Sequence, residues 1–476
     1  MKYEVKLLIG GEWRGPGNDK WQEIVNPADE TVIGRVAHAA ASDLDAAVAA
    51  AKNGFEAWRK TSAVERSTYL RKASVAVRER SEEIAVMLTT EQGKRLAEAR
   101  AEVLGACEVL EWFAEEVRRI YGSMIPSRDP KLRQYVIHEP IGPVAAFTPW
   151  NFPINQAVRK IAAAIAAGCS IVVKGAEETP VALARFVELL TDAGLPEGVL
   201  NLVFGIPSEI SEHLIASSVI RKVSFTGSTA VGKLLSARAG AQVKRISTEL
   251  GGHAPVVICD DADLPRAVKL IGIQKFLNAG QACISPTRFL VQRSRYEEVV
   301  ESFKRVAEGY VLGNGMEAST RMGPLANSRR VTMMEELVED AIAKGARVVA
   351  GGVRPSGAGY FFQPTVLADV TRDTRIFNEE PFGPIAAFAP FDTDEEAIAE
   401  SNRLPWGLAA YVFTGSSARA ERLKNDIESG MVAVNSITLG LPEQHFGGVK
   451  ESGYACEGGP DALSFYLHTK FVCQAD

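Results

Sequence analysis

Cys283 is the cysteine whose surroundings suit covalent chemistry. Small and polar residues precede it in the chain, and the apolar run Phe289–Val291 follows. This pattern predicts a thiol in a turn beside regular structure, where backbone amides can stabilise a thiolate. A single cysteine is more often a small buried hydrophobic residue, and Cys169 and Cys259, which lie in apolar runs, are interpreted in that way.

Glu249 is the nearest candidate partner for this thiol. A nucleophilic thiol needs a base or an electric field that ionises it, and the six histidines form no recognisable protease signature. No two histidines stand at metal-ligand spacing, so no metal site is predicted. Glu249 ends an apolar-leaning stretch just before the Gly251–Gly252 turn. It lies too far from Cys283 in sequence for local pairing, so two loops would have to meet.

Two short segments carry signals for nucleotide binding, although the usual G-x-G-x-x-G fingerprint follows no predicted strand. Gly227–Lys233 satisfies the first part of an ATPase phosphate loop, but Leu234 stands where a hydroxyl should hold Mg²⁺, so an ATPase is not favoured. The remaining turn and helix start favour a phosphate, or are only a tight turn that begins a helix. After another apolar strand, Lys174 and Glu177 could bind a ribose diol or form a solvated charge run.

Composition indicates an ordinary globular protein. Hydrophobic residues make up 46% of the 476-residue chain and charged residues 24%, which argues against a disordered chain and predicts two or three domains. The net charge of −6 and the lack of a basic tail argue against nucleic-acid binding. The longest uncharged run, Ile161–Val173, is too short to span a membrane. The cysteines are few and no signal peptide is evident, so a cytoplasmic location is expected.

The first part of the chain is predicted to be helical after a short β entry. A helix is expected to begin at Ser42, where a Ser-x-x-acid sequence has the form of a capping start. Two further amphipathic stretches run over about 63–90 and 96–121.

From Gln134 onward, short apolar runs alternate with helical segments, which predicts βαβ units and a parallel sheet. The predicted strands are Val144–Phe147, Ser170–Val173, Leu200–Val203 and Lys222–Phe225, with helices at Gln156–Ala167, Pro180–Ala193 and Pro207–Ser217. A second α/β stretch is predicted over about 254–435. The tail Ser464–Cys473 is predicted to be an edge strand that needs a partner.

Six motifs make the chain resemble the NAD(P)-dependent aldehyde dehydrogenase superfamily. They occur in the family's order and spacing across essentially the whole length. The motifs are Phe147–Pro153 (FTPWNFP), Phe225–Gly232 (FTGSTAVG), Glu249–Gly252 (ELGG), Gly280–Cys283 (GQAC), Glu379–Pro384 (EEPFGP) and Phe446–Gly453 (FGGVKESG).

The resemblance implies an α/β fold with a Rossmann-like cofactor domain, an α/β catalytic domain and a small β oligomerisation element. Residues 1–119 and 136–250 would form the NAD-binding domain, and residues 251–452 the catalytic domain. Residues 120–135 and 453–476 would form the oligomerisation element of a homodimer or homotetramer, since an exposed strand edge needs cover.

The resemblance also implies a role for each matching residue. Cys283 would be the nucleophile, Asn151 would donate its side-chain amide to the oxyanion, and Glu249 would activate water. The backbone N–H of Cys283 would be the second oxyanion donor. The residues expected to bind the cofactor are Lys174 and Glu177 at the adenosine ribose, Gly227, Ser228 and Gly232 at the pyrophosphate turn, Glu380 and Phe382 at the nicotinamide and its ribose, and Trp150 and Leu250 beside them.

The implied reaction oxidises a small-molecule aldehyde to a carboxylic acid. The thiolate adds to the aldehyde, the thiohemiacetal gives up hydride to the nicotinamide, and water releases the acid from the resulting thioester. Glu249 favours a free acid over an acyl-CoA product, since CoA-forming members usually lack this glutamate. Glu177 favours NAD over NADP because its carboxylate would repel a 2′-phosphate, and NADP stays possible because Lys174 would partly offset that repulsion.

One departure from the family pattern bears on the substrate. After Gly453 the family often continues with Gly-Arg-Glu, whereas this chain has Tyr454–Gly459 (YACEGG). That variant resembles the branch of succinate-semialdehyde and 2-oxoglutarate-semialdehyde dehydrogenases, in which the position of Arg159 binds a distal carboxylate. Leu277, however, stands where succinate-semialdehyde enzymes place a second arginine. Arg159 is therefore a candidate substrate residue or, alternatively, a cation on a helix surface.

Two other classes of function stay open at this point. A thiol esterase or hydrolase would use Cys283 and Glu249 without a cofactor. A structural or binding relative would have no activity, and the intact set of Cys283, Asn151 and Glu249 argues against it.

Overall fold

The computed structural model describes residues 2–475. Helices dominate the first part of the chain and alternate with strands after it, as predicted. The α-helices are α1 (Ala41–Trp58), α2 (Ala63–Glu79), α3 (Ser81–Gln92), α4 (Leu96–Glu116), α5 (Pro153–Ala167), α6 (Pro180–Asp192), α7 (Pro207–Ala216), α8 (Thr229–Ala241), α9 (Leu264–Phe276), α10 (Tyr296–Glu308), α11 (Ser328–Ala343), α12 (Asp394–Asn402) and α13 (Ser417–Asp426).

The strands form two large sheets and three small ones. They are β1 (Tyr3–Val5), β2 (Leu7–Ile9), β3 (Glu12–Arg14), β4 (Trp21–Val25), β5 (Val32–Ala37), β6 (Ser123–Ile125), β7 (Leu132–Pro140), β8 (Val144–Phe147), β9 (Ile171–Lys174), β10 (Leu200–Val203), β11 (Lys222–Thr226), β12 (Arg245–Glu249), β13 (Ala254–Ile258), β14 (Pro286–Gln292), β15 (Arg347–Ala350), β16 (Thr365–Ala368), β17 (Ile385–Phe391), β18 (Trp406–Gly407), β19 (Ala409–Phe413), β20 (Met431–Val434), β21 (Val449–Lys450), β22 (Gly453–Tyr454) and β23 (Leu467–Ala475).

The first large sheet carries the strand ends at which the site is built. Its order is β22-β12-β11-β8-β9-β10-β2-β3, and the strands from β12 to β10 run parallel. The register aligns Phe147 with both Lys174 and Phe225, and Thr226 with Glu249. Because parallel strands end at the same edge, the segments that follow them lie close together. The four predicted strands and the α/β fold class with a Rossmann-like sheet are confirmed.

The helices that follow β8, β9 and β10 each begin with a proline, at Pro153, Pro180 and Pro207. A proline suits this position because the first backbone N–H of a helix has no partner within the helix, and the proline ring already has a helical φ. The strand ends and the helix starts are therefore set locally by the sequence.

The second large sheet has the order β15-β16-β17-β14-β13-β19-β20 and is parallel except for β15. It confirms the second α/β stretch. Cys283 lies between a 3₁₀ turn over 277–280 and the start of β14. The thiol therefore comes from the amino end of a strand of this sheet, whereas Glu249 ends a strand of the first sheet. Each large sheet is the centre of its own cluster of buried apolar side chains.

A three-stranded antiparallel sheet, in the order β23-β7-β6, contains the tail. The predicted edge strand is present, and its partner is β7 of the same chain over all nine residues of β23. β7 extends to Pro140, beyond the predicted boundary at residue 135. The opposite edge of β23 pairs with no strand among residues 2–475.

Two local predictions in the helical part are wrong. Ser42 does not cap α1, which begins at Ala41, and the carboxylate of Asp43 instead accepts the backbone N–H of Ala40 at 2.9 Å. That carboxylate also accepts the N–H of Gly17 at 2.8 Å, a distant contact that local spacing does not reveal. The stretch over 63–90 is two helices, because the chain leaves helical geometry at Arg80.

Helix α1 packs so closely on the turn before β10 that Gly54 has no room for a side chain. A Cβ atom there would overlap the backbone of Gly198 and Val199, whereas a Cβ at Gly240 in α8 would meet no atom within 4 Å. We expect Gly54→Ala to lower the free energy of unfolding by about 1–3 kcal/mol through overpacking. Gly240→Ala should raise it by about 0.5–1 kcal/mol because alanine favours the helix. Urea unfolding of both variants measures this, and equal effects would contradict the packing argument.

Candidate active site

The two large sheets meet at the Gly251–Gly252 turn that follows β12. The backbone N–H of Gly252 donates to Glu380 Oε1 at 3.3 Å. A Cβ atom on Gly251 would lie 2.5 Å from Glu380 Oε2, and one on Gly252 would lie 3.3 Å from the carbonyl oxygen of Cys283. Side chains at these two positions would therefore push the loops apart. The expected meeting of two loops, one carrying Glu249 and one carrying Cys283, is confirmed.

Cys283 is partly exposed to solvent in a turn before β14. Burial of the sulfur atom and the negative charges of Glu380 and Glu249 raise the pKa of this thiol to about 12. The backbone N–H groups of Cys283 and Ile284 act in the opposite direction, as the turn predicts. Their effect is the smaller one, so the resting thiol is protonated at neutral pH.

Asn151 follows β8 and precedes α5, and it is only 3% exposed. Its Nδ2 donates to the carbonyl oxygen of Gln281 at 3.1 Å, two residues before Cys283. The side-chain amide has two N–H bonds, and this contact uses one of them. The structure thus brings Asn151 to the loop that carries the thiol, with donor capacity left over.

Glu249 is 2% exposed, and neither of its carboxylate oxygens has a hydrogen-bond partner within residues 2–475. Burial and the nearby charge of Glu457 raise its pKa well above the usual carboxyl value, and Lys160 and Arg159 oppose that rise. A buried carboxylate without partners holds a proton strongly and becomes a stronger base once it is ionised. Glu249 is therefore suited to take a proton from water or from the thiol.

A buried ion pair lies behind Glu249. Lys160 Nζ contacts Glu457 Oε1 and donates to Thr226 Oγ1 at 2.6 Å. Ser224 Oγ donates to the same Glu457 oxygen at 3.2 Å. Both charged side chains are nearly inaccessible to solvent. The pair joins α5 to the segment that follows β22, and both of its charges act on Glu249.

A cavity of about 640 Å³ opens at the carboxyl ends of β8, β9 and β11. Four of the predicted cofactor residues line it: Trp150, Lys174, Glu177 and Gly227. Lys174 Nζ pairs with Glu177 Oε1 at 2.6 Å, and that oxygen also accepts the N–H of Gly205 at 2.9 Å. Lys174 is 6% and Glu177 9% exposed, so the alternative of a solvated charge run is wrong.

Ser228, Gly232 and Leu250 lie around the start of α8. Ser228 is the N-cap of α8, and its Oγ accepts the N–H of Val231 at 3.5 Å. Gly232 allows close packing of Leu250, because a Cβ at Gly232 would overlap that side chain. The turn begins a helix, and Gly227 also lines the cavity, so phosphate binding at this turn stays a prediction. The backbone N–H groups at the start of α8 suit a phosphate.

Glu380 and Phe382 lie in the segment just before β17 of the second large sheet. Phe382 has a left-handed backbone with φ +47°, and its ring meets that of Trp150 edge-on at 5.6 Å between centroids. Arg330 Nη2 donates to the carbonyl oxygens of Pro381 and Phe382 and holds this conformation. Burial raises the pKa of Glu380 to about 7. Trp150 therefore connects the cavity with the residues nearest the thiol.

Arg159 is buried at 3% exposure, so the alternative of a helix-surface cation is wrong. It donates from Nε to Asn155 Oδ1 at 3.0 Å, from Nη1 to the carbonyl oxygen of Glu457 at 3.1 Å, and from Nη2 to that of Gly440. Burial lowers its pKa, while the charges of Glu457, Glu249 and Cys283 act in the opposite direction. Its electrostatic coupling to Glu249 and Cys283 indicates a position near the reacting groups.

Sequence reasoning missed four residues that surround the site: Lys94, Asn278, Lys160 and Glu457. Asn278 lies two residues before the Gly280–Cys283 motif, and Glu457 lies in Tyr454–Gly459, the segment that departs from the family pattern. Both residues are therefore next to a sequence feature that could have identified them. Lys94 and Lys160 had no signal, since an isolated lysine in a helical region is normally solvated. Within residues 2–475, no group of three His, Cys, Asp or Glu side chains is placed to hold a metal ion. Across that same range, no helix is long and apolar enough to cross a membrane.

Comparison with known proteins agrees with this geometry. A sequence model of the aldehyde dehydrogenase family matches residues 13–472, and the chain belongs to that family. It is therefore an oxidoreductase that acts on aldehyde groups. The chain is 48% identical over 468 residues to 4-(hydroxymethyl)benzenesulfonate dehydrogenase TsaD1 of Comamonas testosteroni, a match that covers 98% of this chain and 97% of the relative.

Two further similarities bear on the cofactor. The chain is 39% identical over 471 residues to the succinate-semialdehyde dehydrogenase [NADP(+)] GabD of Escherichia coli (strain K12), covering 99% of this chain and 98% of the relative. Its fold matches the NAD+ complex structure of aldehyde dehydrogenase from Bacillus cereus with a TM-score of 0.97 and 36% identity, over 99% of this chain and 97% of that one.

The raised pKa of Cys283 predicts how fast an alkylating reagent modifies the thiol. At pH 8, iodoacetamide should modify Cys283 much more slowly than free cysteine. Glu380→Gln should accelerate the modification by roughly threefold to tenfold, because loss of a neighbouring negative charge lowers the pKa of the thiol. Peptide mass spectrometry measures the rate at this residue. Glu379→Gln is the matched control, since Glu379 pairs with Arg375 at 3.0 Å near the surface; equal acceleration in both variants would contradict the argument.

Proposed function

We propose that this protein uses NAD(P) to oxidise an aldehyde to a free carboxylic acid through a covalent intermediate on Cys283. The observation that carries the proposal is the meeting of three groups from separate elements: a thiol, an amide donor at Asn151 and a buried, unpartnered carboxylate at Glu249. Asn151 follows Trp150, which lines the cavity, and Glu249 pairs in register with Thr226, which also lines it.

The partly exposed Cys283 thiol gives its proton to solvent water, and Sγ adds to the carbonyl carbon of the aldehyde and forms a C–S bond as the C=O π bond breaks. The carbonyl oxygen becomes an oxyanion, and Asn151 Nδ2 and the backbone N–H of Cys283 donate to it. Donors of this kind, fixed in advance, contribute roughly 3–4 kcal/mol to the barrier reduction. A bound nicotinamide cofactor, placed by Glu380 and Phe382, would supply the acceptor for the hydride of the tetrahedral carbon. The carbon is thereby oxidised to a thioester on Cys283.

Hydrolysis of the thioester is assigned to Glu249. Its ionised carboxylate takes a proton from water, the oxygen of that water attacks the thioester carbon, and the C–S bond breaks. The products are a carboxylate and the regenerated thiol. The raised pKa of Glu249 makes it a stronger base than an exposed glutamate, provided that it has first lost its own proton.

NAD is the preferred cofactor in this proposal. Glu177 lines the cavity and keeps its carboxylate in place through Lys174 and the N–H of Gly205. A carboxylate held at this position accepts hydrogen bonds from ribose hydroxyls and repels a 2′-phosphate. Lys174 offsets part of that repulsion, and one relative is named for NADP(+). Kinetics with each cofactor decide between them, and a preference for NADP would contradict the proposal.

The proposed substrate is an aldehyde that carries a distal anionic group. Relatives are named for a benzenesulfonate and for succinate semialdehyde, whose distal groups are a sulfonate and a carboxylate. Arg159 uses three of its five N–H bonds within the protein, which leaves two for such an anion.

Self-association is proposed for the β23-β7-β6 sheet, which corresponds to most of the predicted oligomerisation element. Met124 is 73% and Phe471 56% exposed on this sheet, and one edge of β23 is unpaired among the described residues. Apolar side chains and an open strand edge favour cover by a second copy of the chain. Light scattering tests a dimer or tetramer, and a monomer would contradict it. The domain boundaries and the cytoplasmic location stay predictions.

A thiol esterase without a cofactor is the competing function. It would hydrolyse esters at Cys283 and would give no NADH when supplied with aldehydes. The cavity that Trp150 lines, with Lys174 and Glu177 buried in its wall, favours the dehydrogenase. Absorbance of NADH with a panel of aldehydes separates the two.

The assignment of Glu249 predicts a change in the rate-limiting step. Glu249→Gln should release about one equivalent of NADH per subunit rapidly and then turn over roughly 10²–10⁴-fold more slowly than wild type. In wild type, thioester hydrolysis should accelerate as the pH rises through the raised pKa of Glu249, because only the ionised form is a base.

Stopped-flow absorbance across pH measures both effects. Glu451→Gln is the control, since Glu451 lies partly exposed and pairs with Lys233 at 2.7 Å. A Glu249→Gln variant with wild-type turnover and an unchanged pH profile would contradict the assignment.

The assignment of Arg159 predicts a loss that depends on the substrate. Arg159→Met keeps much of the side-chain volume but removes the charge. It should lower kcat/KM for succinate semialdehyde roughly 10- to 100-fold more than for butanal, since a charge-assisted contact contributes about 1.5–3 kcal/mol. Butanal in the same variant controls for general damage to the fold. An equal loss of kcat/KM for the two aldehydes would show that Arg159 does not bind the distal anionic group.

A further inference from the structure

Two side chains bind the main-chain carbonyl oxygen of Asn151 from different directions. Lys94 Nζ donates to it at 2.7 Å, and Asn278 Nδ2 donates to it at 2.9 Å. Lys94 and Asn278 are 1% and 2% exposed. A backbone carbonyl held by two buried donors fixes the peptide plane that follows Asn151, and with it the direction of the Asn151 side chain.

The ammonium group of Lys94 makes two further contacts. Besides Asn151, its ammonium group contacts Glu102 Oε2 at 2.5 Å and lies 3.9 Å from the ring centroid of Phe152. The other oxygen of Glu102 accepts the N–H groups of Ile154 and Asn155 at 3.0 and 3.2 Å. One buried ion pair therefore holds both the carbonyl of Asn151 and the first turn of α5.

The position of Lys94 depends on the second half of the chain. Gly315 and Gly323 approach the backbone of Gly93 and Lys94 so closely that neither could carry a Cβ atom. Leu96 donates its backbone N–H to the carbonyl oxygen of Gly315 at 2.9 Å. The loop that presents Lys94 is thus fixed by segments that belong with the second sheet.

Asn278 ties the same carbonyl to the loop of the thiol. It lies in the left-handed region with φ +49°, and Ala279 follows with φ +54°. Its Nδ2 also lies 3.3 Å from the carbonyl oxygen of Gln281, the atom that accepts Asn151 Nδ2. Gln281 Nε2 returns a hydrogen bond to the carbonyl of Asn278 at 3.0 Å. Asparagine tolerates this conformation better than most non-glycine residues, so the backbone here can direct the Asn278 amide at the Asn151 carbonyl at small cost.

We infer that Lys94 and Asn278 are positioning residues that set the amide of Asn151 against the Cys283 thiol. The inference rests on the proposed function, in which Asn151 donates to the oxyanion. A displacement of about 1 Å in such a donor costs on the order of 100-fold in rate, so a carbonyl anchored from both halves of the chain protects catalysis.

The first variant to test is Asn278→Gly. Glycine accepts a left-handed backbone without strain, so this change removes the donor without imposing a new conformation. Ala279→Gly is the matched control, because it gives the same loop the same added freedom and keeps Asn278. We expect kcat/KM to fall by about tenfold or more in Asn278→Gly and by less than about twofold in Ala279→Gly.

Combination with Asn151→Ala separates positioning from general structural damage. A substitution that acts only by displacing the Asn151 amide lowers kcat/KM no further once that amide is absent. General structural damage lowers kcat/KM in either background. Asn278→Gly should therefore cost less than about twofold in an Asn151→Ala background. The inference is overturned if the full loss persists there, or if Ala279→Gly is as damaging as Asn278→Gly.

Lys94 is tested by the double variant Lys94→Met with Glu102→Gln, which leaves no unpaired buried charge. The same loss of effect in the Asn151→Ala background is expected, and a persistent loss would overturn the role of Lys94. If this variant does not fold, the Asn278→Gly comparison still decides. Asn151→Ala alone tests the proposed function: if it keeps wild-type activity, the oxyanion assignment fails first and the inference with it.

Discussion

The active site depends on one close approach of two backbone segments. The Gly251–Gly252 turn lets the end of β12 reach the loop before β14, and the absence of Cβ atoms leaves room for Glu380 and for the carbonyl of Cys283. Through this approach the buried carboxylate of Glu249 from one sheet lies close enough to the partly exposed thiol of Cys283 from the other to raise the pKa of that thiol. Two small residues therefore set the geometry of a site whose chemistry belongs to their neighbours.

Burial determines the protonation of the site. The pKa of Glu249, Glu380 and Cys283 is raised in each case, first of all because their charged forms are poorly solvated. Arg159 and Lys160 are buried alongside and limit the rise for Glu249. Burial thus disfavours the charged form of each acid, so the proposed reaction requires protons to move in a defined order. That constraint suits a thiol that is regenerated and a carboxylate that acts only when ionised.

Much of the fold was predictable because its signals are local. Short apolar runs that alternate with helical patterns predicted the strands and helices between 144 and 217 to within a few residues. Failures occurred where a distant contact contributed to the local structure: the carboxylate of Asp43, which accepts the N–H of Ala40 where Ser42 was expected to cap α1, also accepts the N–H of Gly17. Lys94 was missed for the same reason, since its partners lie in α4 and beyond β8.

The sequence by itself determined the α/β class, the strands whose ends form the site and, through the resemblance of six motifs, the thiol and carboxylate that belong together. Only the tertiary structure decided that Arg159 is buried rather than on a surface, that Glu249 has no partner among the described residues, and that Lys94 and Asn278 hold Asn151. The physical reason is the distance along the chain over which each property is determined. Strand and helix preferences are set by neighbours in sequence, whereas burial, pKa and hydrogen-bond partners depend on atoms that only the folded chain brings together.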